Sequence, residues 1–470
     1  MLEKRDERHQ KWLISDEERE FETFVAEGLG EWADIDQTLL ELEAMRLNFS
    51  VSFDHDLTAI GSAADKAVSE LKALFGAQGT IFNNAINSQL TCLLANLYRG
   101  YQRNNRRLIR ISLHNGKAVP PRYNPSGVAT KSLRKMKNAL LANEYVFFFP
   151  GYNARGKTSR KSKSPKIIAD PSLIEFLEKE CVWSLATISY HNAAETIRMK
   201  SKRDANKKRT FVSYDDTPDV KRQRQVLQRY NAFMAEQDIQ IPTPFDFMGD
   251  VFITRRTFTD ESWQLGGRLF GGGFQQLSKE DRKQITINDQ PVVELDIKSC
   301  HATMAFAHVG IDWYAQSNQD LYSRLEEDGW PRDVVKKAFN IMMNAPSRSS
   351  AVGSLKDQQL KTGFLFNDGM TDFKGWSSHL VRSIEDAYPE LKDVFYAELG
   401  NSFMNKEGSI CMAIAEWAVR ERVPVLTIHD SFICPESNAY ELEQVIGVNF
   451  DEIVGARCLT TRNDFDLQHH

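Results

Sequence analysis

Apolar positions in the first quarter of the chain recur every three or four residues. The segments IDQTLLELEAMRL (35–47) and AADKAVSELKALF (63–75) show this spacing most clearly. Because an α-helix has about 3.6 residues per turn, the spacing places the apolar side chains on one face. The pattern predicts a mostly helical N-terminal region over residues 1–115.

A different order of elements is predicted for residues 116–175. The segment TKSLRKMKNALLANEY begins at Thr130, which suits a helix N-cap, and continues as a basic amphipathic helix. A strand (145–149), a loop rich in Gly, Ser, Lys and Arg, and a returning strand (166–170) follow. A winged helix has this order of helix, strand, basic loop and strand. A β-hairpin that follows a helix and has no DNA-binding role has the same order. We predict a winged-helix-like segment that binds DNA through seven cations: Arg134, Lys135, Arg155, Lys157, Arg160, Lys161 and Lys163.

The remainder of the chain divides into two parts. Residues 176–250 are strongly charged and are predicted to be helical. From 251 to 470, short β-rich runs alternate with helical patterns, which favours an α+β catalytic unit.

Composition excludes several classes of protein. The 470 residues are 41% hydrophobic and 26% charged, which is ordinary globular usage rather than that of a disordered chain or a fibre. There is no run of about 18 apolar residues, and the charged N-terminus has no apolar segment of the kind found in signal peptides. Six scattered cysteines form no CxxC pair. We therefore expect a cytoplasmic protein without a zinc ribbon or a disulfide framework.

The net charge of −5 conceals local basic clusters. Residues 155–166 contain six basic residues and no acid, and residues 198–209 contain seven basic residues and one Asp. Local basic stripes on an acidic chain can hold phosphate backbones, although solvated loop faces would show the same composition.

Two apolar runs end in carboxylates. VVELDI (292–297) carries Asp296 near its end, and VPVLTIHDSFICP (423–435) places His429 and Asp430 between two short strands. An Asp at the end of a buried strand is costly unless it is paired or binds a metal. Two such carboxylates in one sheet suit two Mg²⁺ ions that act on a phosphoryl transfer, and Mn²⁺ accepts the same ligands.

Between the two acids lies a segment with a cationic face. In PRDVVKKAFNIMMNAPSR (331–348), the residues Arg332, Lys336, Asn340 and Asn344 recur every fourth position and share one side of a helix. Such a face opposite a metal site suits a triphosphate, whereas an exposed amphipathic helix with no ligand is the plainer interpretation.

The order of these elements resembles that of the right-hand polymerases, meaning the family A DNA polymerases and the single-subunit phage-type RNA polymerases. The resemblance spans about residues 255–450 and rests on five elements: QLGGR (264–268), ELDIKSCHATM (294–304), Arg332 with Lys336, KEGSICMAIAE (406–416) and IHDSF (428–432). It implies a palm-and-fingers fold in which 176–250 is thumb-like. By the same analogy, a chain of this size suits a bacterium or the host of a phage, plasmid or mobile element. The resemblance also implies that Asp296 and Asp430 are the catalytic metal ligands, that Arg332 and Lys336 bind the nucleotide, and that Arg268, Glu407 and His429 lie near primer and template.

Two positions depart from the family pattern. His301 stands five residues after Asp296, where the DNA enzymes carry a Glu and the RNA enzymes a Gly. Asn344 and Ala345 replace the Tyr-Gly of the fingers helix. The bulk of His301 favours deoxynucleotides, whereas HDSF and the absence of an evident exonuclease favour ribonucleotides, so both residues bear on the choice of sugar.

These observations predict a monomeric, template-directed polymerase that uses two Mg²⁺ ions, a primer and nucleoside triphosphates, with DNA synthesis slightly favoured. An RNA polymerase or primase of the same superfamily is the first alternative. A non-catalytic DNA-binding replication initiator is the second, and a two-metal nuclease is the third.

Overall fold

The computed structural model describes residues 51–102, 108–113, 119–151, 164–192, 194–205, 207–241, 253–325, 329–362 and 375–463. The helix predicted within 35–47 and the cations Arg155, Lys157, Arg160, Lys161 and Lys163 lie outside these ranges. The chain forms two compact units, Met1–Ala194 and Glu195–His470.

The first unit combines helices with short strands. Its helices are α1 (Ser62–Ala77), α2 (Asn87–Gln102), α3 (Thr130–Ala142) and α4 (Pro171–Glu175). Its strands are β1 (Val51–Ser52), β2 (Leu57–Ala59), β3 (Ile109–Arg110), β4 (Val146–Phe149), β5 (Lys166–Ala169) and β6 (Ile188–Tyr190). They form a sheet of order β1-β3-β5-β4 and the pair β2-β6.

The expected helix-strand-strand order is present in residues 130–169. Helix α3 precedes β4, and β4 pairs antiparallel with β5. The predicted cap is wrong, because Thr130 is the first helical residue and the Ser132 hydroxyl accepts the Ala129 N–H at 3.1 Å. The winged-helix interpretation stays a prediction, since most of the basic loop lies outside the described residues.

The second unit begins in a segment predicted to be helical. It contains the helix α5 (Pro218–Ala235), but it also contains the strands β7 (Ile197–Met199) and β8 (Ile239–Gln240). The pairing of β7 with a later strand overrides the charged local sequence, which carries little helix or strand periodicity of its own.

The remaining strands build two sheets. They are β9 (Arg255–Thr259), β10 (Ser262–Phe270), β11 (Thr286–Ile287), β12 (Gln290–Ile297), β13 (Leu426–Ile428), β14 (Ser431–Pro435) and β15 (Thr460–Asn463). One sheet has the order β10-β9-β7, and the other has the order β13-β14-β12-β11-β8 with β15 also on β12. Strand β12 is paired along both edges, and its side chains from Val292 to Leu295 are buried because separate core clusters pack on its two faces.

Helices cover these sheets. They are α6 (Lys279–Arg282), α7 (Cys300–His308), α8 (Trp313–Gln316), α9 (Arg332–Asn344), α10 (Arg348–Thr362), α11 (Trp376–Ala387), α12 (Gly400–Glu421) and α13 (Ala439–Val454). The core includes Phe339 of α9 and Phe432 of β14, both fully buried. The predicted helix 331–348 is interrupted at Ala345, because Pro346 has no N–H and disfavours helical geometry in the residue before it.

Candidate active site

The two predicted catalytic carboxylates lie on adjacent strands. Asp296 of β12 is the antiparallel partner of Ser431, the first residue of β14. Asp430 precedes β14 in the turn from β13, and its carbonyl accepts the Ile297 N–H at 2.9 Å. The pairing of β12 with β14 therefore brings together two acids that are far apart in the sequence.

Burial and like charge act on both acids. Burial, followed by the charges of Glu407 and Asp296, raises the pKa of Asp430 to about 6. Burial also raises the pKa of Asp296, against the hydrogen bond from Ser431 and the charge of Lys336. Two carboxylates that disfavour each other's charged form are a favourable environment for a cation.

Ser431 is a site residue that the sequence argument missed. Its hydroxyl donates to Asp296 Oδ1 at 2.5 Å. The serine stands in the quoted HDSF run, but only the antiparallel register of β12 and β14 shows that it faces Asp296.

A second cluster joins three residues predicted from separate elements. Glu407 of α12 is 1% exposed, and its Oε2 accepts from Arg268 Nη2 at 2.6 Å. His301 Nε2 lies 3.0 Å from the same oxygen. Burial would raise the pKa of Glu407, but His301 and Arg268 lower it below its ordinary value. The remaining oxygen, Oε1, is buried and has no hydrogen-bond partner in the described part of the chain.

Two glycines allow this cluster to form. A Cβ atom on Gly408 would lie 1.8 Å from the carbonyl oxygen of Gly267, so α12 and β10 approach as only glycine permits. Gly267 has a φ of +86°, which also favours glycine. The close crossing places Glu407, next to Gly408, against Arg268, next to Gly267.

His429 lies between the two clusters. Its φ of +60° turns the chain from β13 into β14. Its ring packs edge-on against Phe270 at a centroid distance of 5.5 Å, and the Cys411 thiol donates to its carbonyl at 2.9 Å. Burial, followed by the charge of Arg268, lowers the pKa of His429, which favours the neutral ring. Its Nδ1 is buried with no hydrogen-bond partner among the residues described.

The cationic helix α9 reaches the site through one of its predicted residues. Lys336 is exposed, and its charge lowers the pKa of Asp296. Arg332 instead pairs with Asp320 at 2.7 Å and lies over the Tyr322 ring at 5.4 Å, a partnership that the sequence did not indicate.

Asn344 ends helix α9. Its amide donates to the Asn340 carbonyl at 2.8 Å, and a Cβ on Gly400 would collide with it. Asn344 is exposed, so its position at the helix end does not by itself assign it a ligand.

Glu294, two residues before Asp296 on β12, is 2% exposed. It accepts two hydrogen bonds from Arg282, at 2.8 and 3.0 Å, so it forms a buried ion pair rather than a surface contact.

In the first unit, the described cations of the predicted DNA-binding helix contact backbone carbonyls. Arg134 donates to the Leu113 carbonyl, and Lys135 donates to the Ile81 carbonyl at 2.6 Å. Lys135 also lies over the Phe82 ring at 4.7 Å.

The donor set at the two acids is a carboxylate pair. Among the described residues there is no group of three or more His, Cys, Asp or Glu side chains arranged to hold a metal ion. Mg²⁺ commonly takes one or two carboxylates and completes its shell with water and substrate phosphates, so Asp296 and Asp430 fit that ion.

The comparisons with known proteins find a similarity in structure and none in sequence. No family model and no curated protein matches the sequence. Among solved structures, the chain is similar to the polymerase domain of Pol1 from M. smegmatis, solved with a DNA primer-template and a dNTP. The match has 10% identity and a TM-score of 0.33, and it covers 89% of this chain and 67% of the other. Separately, within the described ranges, we find no helix with the length and apolar character needed to cross a membrane.

Proposed function

We propose that this chain is a template-directed nucleic acid polymerase, with DNA synthesis favoured over RNA synthesis. The observation that carries the proposal is the juxtaposition of Asp296 and Asp430 on paired strands, with the charge of Lys336 acting on Asp296. The ordered resemblance of five sequence elements to right-hand polymerases supports the same activity.

In the proposed reaction, a primer 3′-hydroxyl attacks the α-phosphate of a nucleotide and pyrophosphate leaves. Asp296 and Asp430 would hold two Mg²⁺ ions, which when bound supply charge neutralisation at the attacking and leaving oxygens. Ser431 orients Asp296 through its hydrogen bond. Lys336 supplies positive charge for the triphosphate, and Arg332 joins it when released from Asp320.

In this proposal, His301 selects between deoxyribonucleotides and ribonucleotides. The ring is held by Glu407, which Arg268 holds in turn, so its position is defined by two buried contacts. A fixed bulky ring five residues after Asp296 disfavours a 2′-hydroxyl, which supports deoxynucleotides. Asn344 lies at the end of α9, where it can contribute to the same discrimination.

Primer extension with Mg²⁺ tests the proposal, with dNTPs and rNTPs offered in parallel. We expect incorporation by the native chain and a loss of at least about a thousandfold in Asp430→Ala and Asp296→Ala, since each removes a predicted metal ligand. Asp393→Ala, at an exposed carboxylate outside the site, is the matched control and is expected to retain activity.

The other outcomes identify the rival functions. DNA binding without incorporation of either nucleotide would favour the non-catalytic initiator. Cleavage of the strand in the absence of nucleotides would favour the two-metal nuclease.

A further inference from the structure

A basic hairpin projects from the β10-β9-β7 sheet in the second unit. We define it as residues 199–205 and 207–212, since position 206 lies outside the described residues. These residues include six cations and a single acid, Asp204. Lys202, Lys207 and Lys208 are exposed at its outer end. None of the residues assigned to the reaction belongs to the hairpin.

Backbone hydrogen bonds give the hairpin a defined shape. The N–H groups of Ser201 and Val212 donate across it to the carbonyls of Thr210 and Met199, at 2.8 and 3.0 Å. At the outer end, Asp204 Oδ1 accepts the Lys208 N–H at 2.8 Å. Asp204 therefore stabilises the turn, and the hydrogen-bonded backbone gives the lysine side chains defined positions.

The base of the hairpin is fixed by a paired charge. Arg209 forms two hydrogen bonds to Asp260, at 2.6 and 3.2 Å. Arg198 and Lys200 lie 5.3 and 5.7 Å from the centre of the Phe211 ring. Burial, followed by the neighbouring charges of Arg209 and Arg198, lowers the pKa of Lys200. The cations gathered at the base of the hairpin also attract anions to this surface.

The sheet connects the hairpin to the candidate active site. Arg198 of β7 is the register partner of Thr257 in β9, and Thr257 is the register partner of Arg268 in β10. Neighbouring strands lie about 5 Å apart, so the backbones at Arg198 and Arg268 are separated by roughly 10 Å. Arg268 in turn holds Glu407. The sheet thus places the base of the hairpin two strands away from Arg268.

We propose that this hairpin binds the phosphate backbone of the primer–template duplex and holds it next to the site. The inference rests on the proposed function for the identity of the duplex, while the charge and the frame of the hairpin carry the binding itself. The exposed Lys202, Lys207 and Lys208, on a hydrogen-bonded hairpin, suit a polyanion with regularly spaced phosphates. The hairpin is expected to add affinity without sequence preference.

The test is the equilibrium binding of a fluorescent primer–template duplex, without nucleotides, over a series of NaCl concentrations. The triple variant Lys202→Ser, Lys207→Ser and Lys208→Ser leaves the backbone frame intact. We expect the slope of log Kobs against log salt to fall by about 2 to 3, since each duplex phosphate contact contributes about 0.9. Affinity at low salt is expected to fall at least about tenfold.

A matched variant removes the same charge elsewhere: Lys356→Ser, Arg382→Ser and Lys392→Ser, all at exposed positions. It is expected to retain the native slope. An unchanged slope in the hairpin variant, or an equal loss in both variants, would overturn the inference.

The proposed function fails separately from this inference. If the native chain does not bind the duplex at any salt concentration, both fail. If it binds and extends primers while the hairpin variant binds equally well, only the hairpin assignment is wrong.

Discussion

His301 Nε2 lies 3.0 Å from Oε2 of Glu407, a residue more than one hundred positions later in the chain. The contact joins the first turn of α7, which follows the Asp296 strand, to the middle of α12. Since Glu407 is almost fully buried, the contact defines where the imidazole stands relative to the carboxylate pair. The sugar selection that we propose for His301 depends on this position.

We predict that His301→Ala relaxes the choice of sugar. Removal of the ring opens space for a 2′-hydroxyl, so the ratio of rNTP to dNTP incorporation efficiency is expected to rise about tenfold or more. Single-nucleotide extension kinetics measure kcat/KM for each sugar. His308→Ala, on the same helix, is the control and is expected to leave the ratio unchanged. If His301→Ala keeps the rNTP-to-dNTP ratio of the native chain, the imidazole ring does not discriminate between the two sugars.

We predict that Glu407→Ala is among the most destabilising single substitutions in the second unit. It leaves Arg268 and His301 facing a site without its buried anion, and breaking a buried pair in this way costs about 3–5 kcal/mol. Urea unfolding monitored by tryptophan fluorescence provides the free energy of unfolding. Glu407→Gln keeps a hydrogen-bond acceptor and is expected to lose less. Equal losses in the two variants would contradict a role for the charge.

The same ion cluster predicts a pH dependence. The pKa of Glu407 is lowered in the folded chain, against its burial, by His301 and Arg268. Between the folded pKa and the ordinary value of 4.5, the unfolded state therefore binds more protons. The stabilisation is fully present above 4.5 and is lost as the pH falls through the folded pKa. We expect the stability difference between the native chain and Glu407→Gln to be constant near neutrality and to shrink in acid. A difference that grows in acid would contradict the assignment.

We predict that Gly408→Ala disrupts the crossing of α12 and β10. The added Cβ would lie 1.8 Å from the Gly267 carbonyl oxygen, and relief of that clash requires backbone movement. A loss of about 2–3 kcal/mol in the free energy of unfolding is expected. Gly447→Ala is the matched control, since Gly447 lies within α13 with nothing near its Cβ position. That change is expected to stabilise the chain by up to about 1 kcal/mol, because alanine favours helix.

We predict that Lys336→Ala raises KM for the incoming nucleotide about tenfold, the loss expected when one charged contact is removed. Lys336 is exposed on α9 and its charge acts on Asp296, which is why we propose it as the lysine that contacts the triphosphate. Lys337→Ala removes the same charge one position along and is expected to change KM much less. Steady-state primer extension against nucleotide concentration measures both. A larger effect in Lys337→Ala would assign the contact to that residue instead.

Much of the candidate site could be predicted from local pattern. The apolar run before Asp296 predicts a buried strand, and the paired runs around Asp430 predict a hairpin with the acid at its turn, as the structure shows. Arg332 and Lys336 are four residues apart, a spacing that predicts one helix face, and both lie on α9. These features follow from the periods of the helix and the strand, which act over a few residues and are therefore visible in the sequence.

Other features depended on tertiary structure. The pairing of β12 with β14 decided that Ser431 donates to Asp296, and the glycine crossing decided that Glu407 holds both Arg268 and His301. Similarly, Arg332 pairs with Asp320, and the charged segment near residue 198 forms a strand against β9.

The sequence by itself determined which residue types are available and which local elements carry them. Tertiary packing decided their partners, because a buried charge takes whichever opposite charge the fold brings within hydrogen-bond distance. Local periodicity carries no record of contacts that span one hundred residues or more, so those partners are seen only in the folded chain.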